Sequence, residues 1–297
     1  MEQQILCASC PRRCFALRTA DFGQGACRSG LLPRLARAAA HFGEEPCISG
    51  TRGSGAVFFS GCPLKCVFCQ NLPISSGGFG RAVSVKRLAK IYEELIADGV
   101  HNINLVNPTH FVRAIIESLP RPLPVPVVYN TGGYELPETV SHLQGRVQVY
   151  LPDYKYALSD AAARYSGAAD YPSVAAAAIK QMFAQTGPYR LDEHGILQSG
   201  VLIRHLVLPG NPQNTRAVID WLTQTFKPGD VLFSLMGQYT PCGDLSSFPE
   251  LSAPLCHAEY AEAADYLMAS GWEDGYLQEP DASGREFIPS FDLTGVL

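Results

Sequence analysis

Long apolar runs are what this sequence lacks first. Nowhere do its 297 residues approach the ~20 consecutive apolar residues that a bilayer-spanning helix needs, which excludes a membrane span. Charge is also sparse. Only 17% of the residues are charged, with 23 Lys and Arg against 28 Asp and Glu, a formal net charge of −5 and a pI near 5.8. No basic run stands out, so nothing draws the chain to nucleic acid or to an anionic membrane surface. Residues 1–6 have neither the basic start nor the apolar stretch of a secretory signal, so the expected compartment is the cytoplasm, where thiols stay reduced. The ten cysteines therefore read as ligands or buried thiols rather than as a disulfide framework.

What is present is 46% hydrophobic content, enough for a sizeable core in one main domain with a small appendage. That domain turns on residues 55–71, Gly-Ala-Val-Phe-Phe-Ser-Gly-Cys-Pro-Leu-Lys-Cys-Val-Phe-Cys-Gln-Asn, where an apolar run opens into Cys62, Cys66 and Cys69. The spacing is C-x3-C-x2-C. A strand ending at Gly61 delivers a tight loop whose three thiolates converge, as an iron–sulfur cluster requires. Three ligands leave one iron of a four-iron cluster with an open position, and open positions are where bound metals do chemistry. A structural zinc site would want a fourth ligand, commonly in paired C-x2-C groups.

With Phe68 directly before Cys69, this string resembles the signature of the radical S-adenosylmethionine (SAM) superfamily. The longer run Phe-Ser-Gly-Cys-Pro-Leu-Lys-Cys-Val-Phe-Cys-Gln-Asn is similar to the branch of pyruvate formate-lyase-activating enzymes. The resemblance implies a [4Fe–4S] cluster on Cys62, Cys66 and Cys69 that chelates the methionine end of SAM. One-electron reduction would then cleave SAM to a 5′-deoxyadenosyl radical that abstracts hydrogen from a substrate. It further implies an oxidoreductase supplied by a reductant such as a flavodoxin or ferredoxin. A glycyl-radical protein is the first substrate class, another peptide or a small molecule the second. A non-catalytic iron–sulfur protein that carries electrons or senses redox state is the alternative from outside the enzymes.

A second group, Cys7, Cys10, Cys14 and Cys27, falls in the pattern C-x2-C-x3-C, with the fourth after twelve intervening residues. Four thiolates can close a tetrahedral site and staple a segment too short to own a core. Structural zinc, an auxiliary iron–sulfur cluster and no metal all stay open here. Residues 1–54 thus read as a cysteine-rich N-terminal extension and connector, helical near 33–40. Residues 55–270 read as the main domain, and 271–297 as a tail whose Tyr276, Phe287 and Phe291 pack back on it or cover its mouth.

From residue 84 onward, helical periodicity alternates with short apolar runs. Strands are expected at 103–106, 125–129, 147–151, 201–208 and 231–236, which with the strand before Cys62 makes six. Helices are expected near 85–96, 109–118, 137–143, 171–185, 213–226 and 257–270. Such alternation specifies a parallel sheet with helices outside it, an α/β fold. Joined to the resemblance, it implies an incomplete (β/α)6 radical SAM barrel.

In such folds chemistry gathers at the carboxyl ends of the strands. After the second strand stand Asn107 and Thr109, where many superfamily members have a Gly-Gly-Glu-like turn for the SAM amino group; here the carboxylate is missing. Thr109 is equally suited to cap a helix. The third strand ends in Asn130 and Thr131, followed by glycines that let a ligand approach the backbone; a plain turn into a helix is the other reading. The fourth ends in Asp153 and Lys155, either a cation for a SAM carboxylate or a surface ion pair. Arg204, inside an apolar strand, needs an acid or a SAM carboxylate as partner, while His205 points to the opposite face and packs. Met236 and Gln238 are placed beside adenine and Tyr239 at the substrate opening. Cys47, Cys242 and Cys256 receive no role.

Overall fold

The computed structural model describes residues 5–278 and 289–297 of the chain. Two short strands, β1 (Ile5–Cys7) and β2 (Ala16–Arg18), pair antiparallel in a small sheet of their own. The main sheet begins with β3 (Arg34–His41). This stretch was expected to be helical, and alanine favours helix. Pairing decides otherwise, because every residue from Arg37 to His41 finds a partner on the next strand, with Ala38 opposite Val57 and Ala40 opposite Gly55.

There follow α1 (Pro46–Ser49), β4 (Ser54–Phe59), α2 (Leu72–Ser75), β5 (Arg81–Ala82), α3 (Val85–Ala97), β6 (Ile103–Val106), α4 (Val112–Ser118) and β7 (Val127–Thr131). Beyond them lie α5 (Pro137–Ser141), β8 (Val149–Pro152), α6 (Ser159–Ser166), α7 (Tyr171–Thr186), β9 (Arg190–Leu191) and β10 (Leu197–Leu206). The chain continues through α8 (Pro212–Thr225), β11 (Leu232–Met236), α9 (His257–Ala269) and β12 (Gly275–Gln278). Local chemistry explains the best-formed of these. In α3 the Ser84 hydroxyl accepts from the Arg87 N–H at 3.1 Å, and Leu88, Ile91, Tyr92 and Leu95 form one buried stripe before Gly99 turns the chain at φ 88°.

The strands run in the order β12-β11-β10-β8-β7-β6-β4-β3-β5, with β9 antiparallel beside β10. All neighbours from β4 to β12 are parallel; β3 and β5 lie antiparallel at the other side. The six expected strands are all present in one mostly parallel α/β sheet. A seventh parallel strand, β12, falls within the stretch read as a tail. It is four residues long, with no apolar run, and a Cβ on Gly275 would collide with the Phe233 carbonyl.

The two faces of the sheet are covered differently. Val57, Phe59, Leu105, Tyr129, Tyr150, Ile203 and Phe233 point into the main core, among the helices. On the opposite face Val128, Val149, Leu151, Leu202 and Leu232 pack on Cys47 and Ile48 of the short segment between β3 and β4. That segment is tied down along its length. Asn102 donates to the Ile48 carbonyl at 2.7 Å and accepts from Ser54 at 2.6 Å, while Gln278 of β12 donates to Glu45 at 3.3 Å. Parts of the tail do pack back: Phe291 meets Phe58 edge-on at 5.6 Å, and the Thr294 carbonyl accepts from Ala38 at 2.8 Å. Phe287 lies outside the described residues. Among the described residues no helix is long and apolar enough to cross a membrane.

Candidate active site

Because seven strands point the same way, their carboxyl ends share one rim. A cavity of about 460 Å³ opens there. Cys62, Cys66 and Cys69 line it together with Leu64 and Phe68, and facing them are Asn107, Asn130, Asp153, Lys155, Arg204, Met236, Gln238 and Gln278. A larger cleft of about 630 Å³ lies outside, between residues 8–15, α4 and α5. No cysteine lines it, so the chemistry-bearing groups single out the smaller one.

The cysteine loop starts from Gly61 at φ 88° and bends again at Lys65, φ 56°. Each of its three sulfurs accepts a hydrogen bond: Cys62 from the Leu64 N–H at 3.4 Å, Cys66 from the Ser166 hydroxyl at 3.1 Å, Cys69 from the Ser75 hydroxyl at 3.3 Å. Donors aimed at sulfur favour the anionic form and tune iron–sulfur clusters. Burial works the other way, pushing the Cys69 thiol up to about 12 and the Cys66 thiol above its ordinary value. A bound cationic centre is what holds such sulfurs as thiolates. Among the described residues no three His, Cys, Asp or Glu groups stand close enough to share one ion. A single tetrahedral zinc would need its sulfurs about 3.8 Å apart. A four-iron cube takes each thiolate on a separate iron corner, so three sulfurs spread around one cavity wall fit the cube.

Opposite the sulfurs is a buried charge network centred on Arg204. Its Nε donates to Asp153 at 2.9 Å, Nη1 to Glu44 at 2.9 Å and Nη2 to the Asn130 side-chain oxygen at 2.6 Å. Asp153 also takes Lys155 Nζ at 2.5 Å. Glu44 receives the Asn130 and Asn104 amides at 2.9 and 3.1 Å. Burial alone would lower the Arg204 and Lys155 pKa values, but the carboxylates around them raise both; burial would raise that of Asp153, but Lys155 and Arg204 hold it down. Arg204, Lys155 and Asp153 therefore stay ionised at neutral pH. Buried acceptors on and around the cavity wall stay unpaired among the described residues: Gln238 Oε1, Asn104 Oδ1 and Glu45 Oε2.

Asn107, Asn130, Thr131, Lys155 and Arg204 all border this cavity. Asn107 does so in left-handed backbone, φ 56°, with its amide donating to the Gly61 carbonyl at 3.0 Å. The Asp153–Lys155 pair is in the cavity wall rather than on the surface, each side chain less than a fifth exposed. Thr109 is a correction. It begins a 3-10 turn, does not line the cavity, and gives its hydroxyl to Glu135 at 2.5 Å. The Thr131 hydroxyl goes to the same oxygen at 2.5 Å, so it too is turned from the cavity it borders. Tyr239 is buried instead of lining an opening, packing on Phe68 and donating to the Leu251 carbonyl at 2.7 Å. His205 is packed as expected, between the Tyr154 carbonyl and Thr215 at 2.9 and 3.0 Å. Cys256 caps α9.

Sequence reasoning passed over Glu44, Glu45 and Tyr171. The two acids sit in what looked like a connector, although Arg204 signalled that an acid had to come from somewhere. Tyr171 opens α7 and ties two strand ends together: its hydroxyl lies 3.0 Å from the Gly132 carbonyl and 2.8 Å from that of Asp153, and accepts the Lys155 N–H at 2.9 Å.

No family model matches the chain. Over 271 residues it is 28% identical to Uncharacterized protein MJ0674 of Methanocaldococcus jannaschii, covering 87% of this chain and 73% of that protein. Among solved structures it is similar to SuiB of Streptococcus suis bound to S-adenosylmethionine, with 14% identity and a TM-score of 0.49 over 73% of this chain and 48% of that one. The same protein bound to precursor peptide SuiA matches at 14% identity and a TM-score of 0.47 over 73% and 46%. Methylornithine synthase (PylB) matches at 11% identity and a TM-score of 0.46 over 75% and 70%. The chain spans about half the length of SuiB.

Proposed function

We propose that the chain is a radical SAM enzyme, similar to the branch of pyruvate formate-lyase-activating enzymes, built on a partial (β/α)6 barrel and holding a [4Fe–4S] cluster on Cys62, Cys66 and Cys69. The observation that carries this reading is the set of three sulfurs, each accepting a hydrogen bond, on the wall of a cavity whose other wall is charged and polar. When bound, the cluster supplies the electron that cleaves SAM reductively and so yields a 5′-deoxyadenosyl radical.

The chain's own residues do the binding and orienting. Lys155, next to the Cys66 sulfur electrostatically, and Arg204 present cations to a carboxylate. Glu44 and the unpaired Gln238 Oε1 present acceptors to an amino group. Leu64, Phe68 and Met236 give apolar wall for a nucleoside. With Arg204 fixed by three hydrogen bonds, little rearrangement is needed on binding. The substrate we propose is a backbone glycine of a glycyl-radical protein, with electrons from a flavodoxin or ferredoxin in the cytoplasm.

The test is anaerobic reconstitution followed by iron, sulfide and product analysis. About four irons on this loop and reductive formation of 5′-deoxyadenosine are expected, both lost together when Cys62, Cys66 or Cys69 is changed to Ala. A cluster that never cleaves SAM would make the protein an electron carrier or sensor. Full cleavage in a cysteine variant would sink the assignment. A glycine-centred paramagnetic signal on a partner selects the glycyl-radical substrate over another peptide or a small molecule.

A further inference from the structure

Cys7, Cys10, Cys14 and Cys27 do not make a second site. Cys7 and Cys10 are buried, Cys14 is exposed, and among the described residues no three His, Cys, Asp or Glu groups stand close enough to share one ion. The cavity wall, by contrast, is divided in two.

Of the described residues lining the cavity, only Glu44, Asp153, Lys155 and Arg204 are Asp, Glu, Lys or Arg, and all four are engaged with one another. The strand order keeps them to one side. Arg204 lies on β10, Asp153 and Lys155 directly follow β8, and Glu44 reaches the same guanidinium. Beyond β7 the order passes to β6 and β4. There the wall is made by Val106 and Phe58, joined by Ile74 of α2.

These three form one apolar cluster with Ala36, Ala56 and Phe291. It borders the cysteine loop directly: the Ile74 carbonyl accepts the Gly61 N–H at 2.9 Å, and the next residue, Ser75, makes the bond to Cys69. Rings gather around Phe58, which meets His41 edge-on at 6.0 Å and Phe291 at 5.6 Å. Phe42 also lines the cavity and is 63% exposed. Its ring is nevertheless seated. Three of its carbons lie 3.0 to 3.3 Å from where a Cβ on Gly53 would stand, so that glycine, at φ 79°, leaves room for the ring against the backbone. A seated aromatic ring left open at a cavity is apolar surface available for a ligand to cover.

We propose that this apolar side is where the substrate lies, and that Phe42 determines specificity there by covering an uncharged aromatic or aliphatic group next to the C–H bond that reacts. The proposal rests on the radical SAM reading, in which the amino and carboxylate groups of SAM take the charged side. A substrate carboxylate or phosphate would enter a water-poor space whose cations are already bonded, and an ammonium would find the carboxylates engaged likewise. An apolar group gains instead by leaving water against Phe42, Phe58 and Ile74. In a protein substrate, the residue beside the reacting glycine is therefore apolar, and anionic or phosphorylated substrates are rejected.

The test is binding, read by calorimetry on the full-length chain reconstituted anaerobically with iron and sulfide. SAM is present and reductant is absent, so nothing is cleaved. The probes are capped peptides with a central glycine flanked by Phe, by Ser or by Asp. The Phe peptide should bind about tenfold more tightly than the other two, and Phe42→Ala should remove that advantage. Phe42→Lys should turn the preference toward the Asp peptide. Phe42 is exposed, so both variants should melt with wild type. Equal affinities for the three peptides, no binding of any of them, or a Phe advantage that survives Phe42→Ala overturns the proposal. Iron content and SAM cleavage on reduction are measured on a separate sample. A chain that cleaves SAM without preferring the Phe peptide keeps the radical SAM reading and loses the apolar subsite. A chain that prefers the Phe peptide through Phe42 without cleaving SAM loses that reading and keeps the apolar binding site.

Discussion

Glu135 makes the fold itself sensitive to pH. Its side chain is fully buried on the helix side of β7, where Oε1 accepts from Thr109 and Thr131, both at 2.5 Å. Oε2 has no partner in hydrogen-bond geometry among the described residues, although the nearby Tyr129 hydroxyl, like the two threonines, favours the charged form. Burial pushes the carboxyl up from 4.5 to about 7, against the two threonine hydroxyls, which favour the charged form. For an acid raised in the folded state, the contribution to stability is fully present below 4.5 and is lost as pH rises to about 7. At about 1.4 kcal/mol per pH unit the loss is on the order of 3 kcal/mol. For 297 residues, with an unfolding entropy of about 2.1 cal/mol/K per residue, this equals roughly 5 °C of melting temperature. Glu135→Gln keeps the shape and the acceptor while removing the titration. The assay is thermal unfolding of metal-free wild type and variant between pH 4.5 and 8. His110 and His205, held by burial at about 3 and about 4, remove stability as pH falls below 6.5 in both proteins, so they cancel in the difference. The variant should gain about 5 °C over wild type between pH 4.5 and 8. Parallel curves would refute a buried, mostly neutral Glu135.

Two further substitutions probe the cavity wall. Arg204→Met leaves Glu44 and Asp153 buried without their common cation, so a loss of about 3–5 kcal/mol is expected at pH 7.5. Because Asp153 has its pKa lowered from 3.8 in the folded state, its share of that loss is fully present above 3.8 and fades only as pH falls below it; urea midpoints at pH 7.5 and about pH 3 measure it, and wild-type stability at pH 7.5 would contradict the network. Gly133→Ala places a Cβ against the Asp153 backbone carbonyl at φ 78°, whereas Gly167→Ala, at φ 55°, meets open space. The first should cost several kcal/mol and disturb ligand binding, the second about 1 kcal/mol, and equal unfolding midpoints for the two would show that the β7–β8 crossing is not tight.

The parallel core was legible because its signal is local. Apolar runs of four or five residues alternating with amphipathic helices such as α3 specify a parallel sheet whatever surrounds them, and all six such strands are where they were expected. β3 and β12 were not legible for opposite reasons. The alanines of β3 favour helix in isolation, and only the edge offered by β4 makes them a strand. β12 has no apolar alternation to read, with its Gly275 chosen by the close approach of the Phe233 backbone.

At the site, legibility followed the same division between local pattern and distant partner. The cysteine spacing and the strand-end position of Asn130, Lys155 and Arg204 are properties of short stretches, and the structure gathers them into one cavity. Which acid answers Arg204 is a question about two stretches 160 residues apart, and nothing in the 42–50 segment marks it as the inner layer of the sheet. The physical constraint was nevertheless visible: a guanidinium on the inward side of a strand has to be neutralised or the strand does not fold. Arg204 meets two carboxylates and shares one of them with Lys155, which balances the four charges; Glu45 is a third carboxylate, pushed up by burial. A carboxyl left over in that balance is held neutral most cheaply as the acid, and it becomes an anion only when a cation arrives. A ligand carrying an ammonium into this cavity meets Glu44 on the wall, with Glu45 buried behind it and joined to the wall through Gln278; if that charge draws the proton off Glu45, affinity should rise with pH and proton release should show by calorimetry in buffers of different ionisation enthalpy, and pH-independent affinity would refute it.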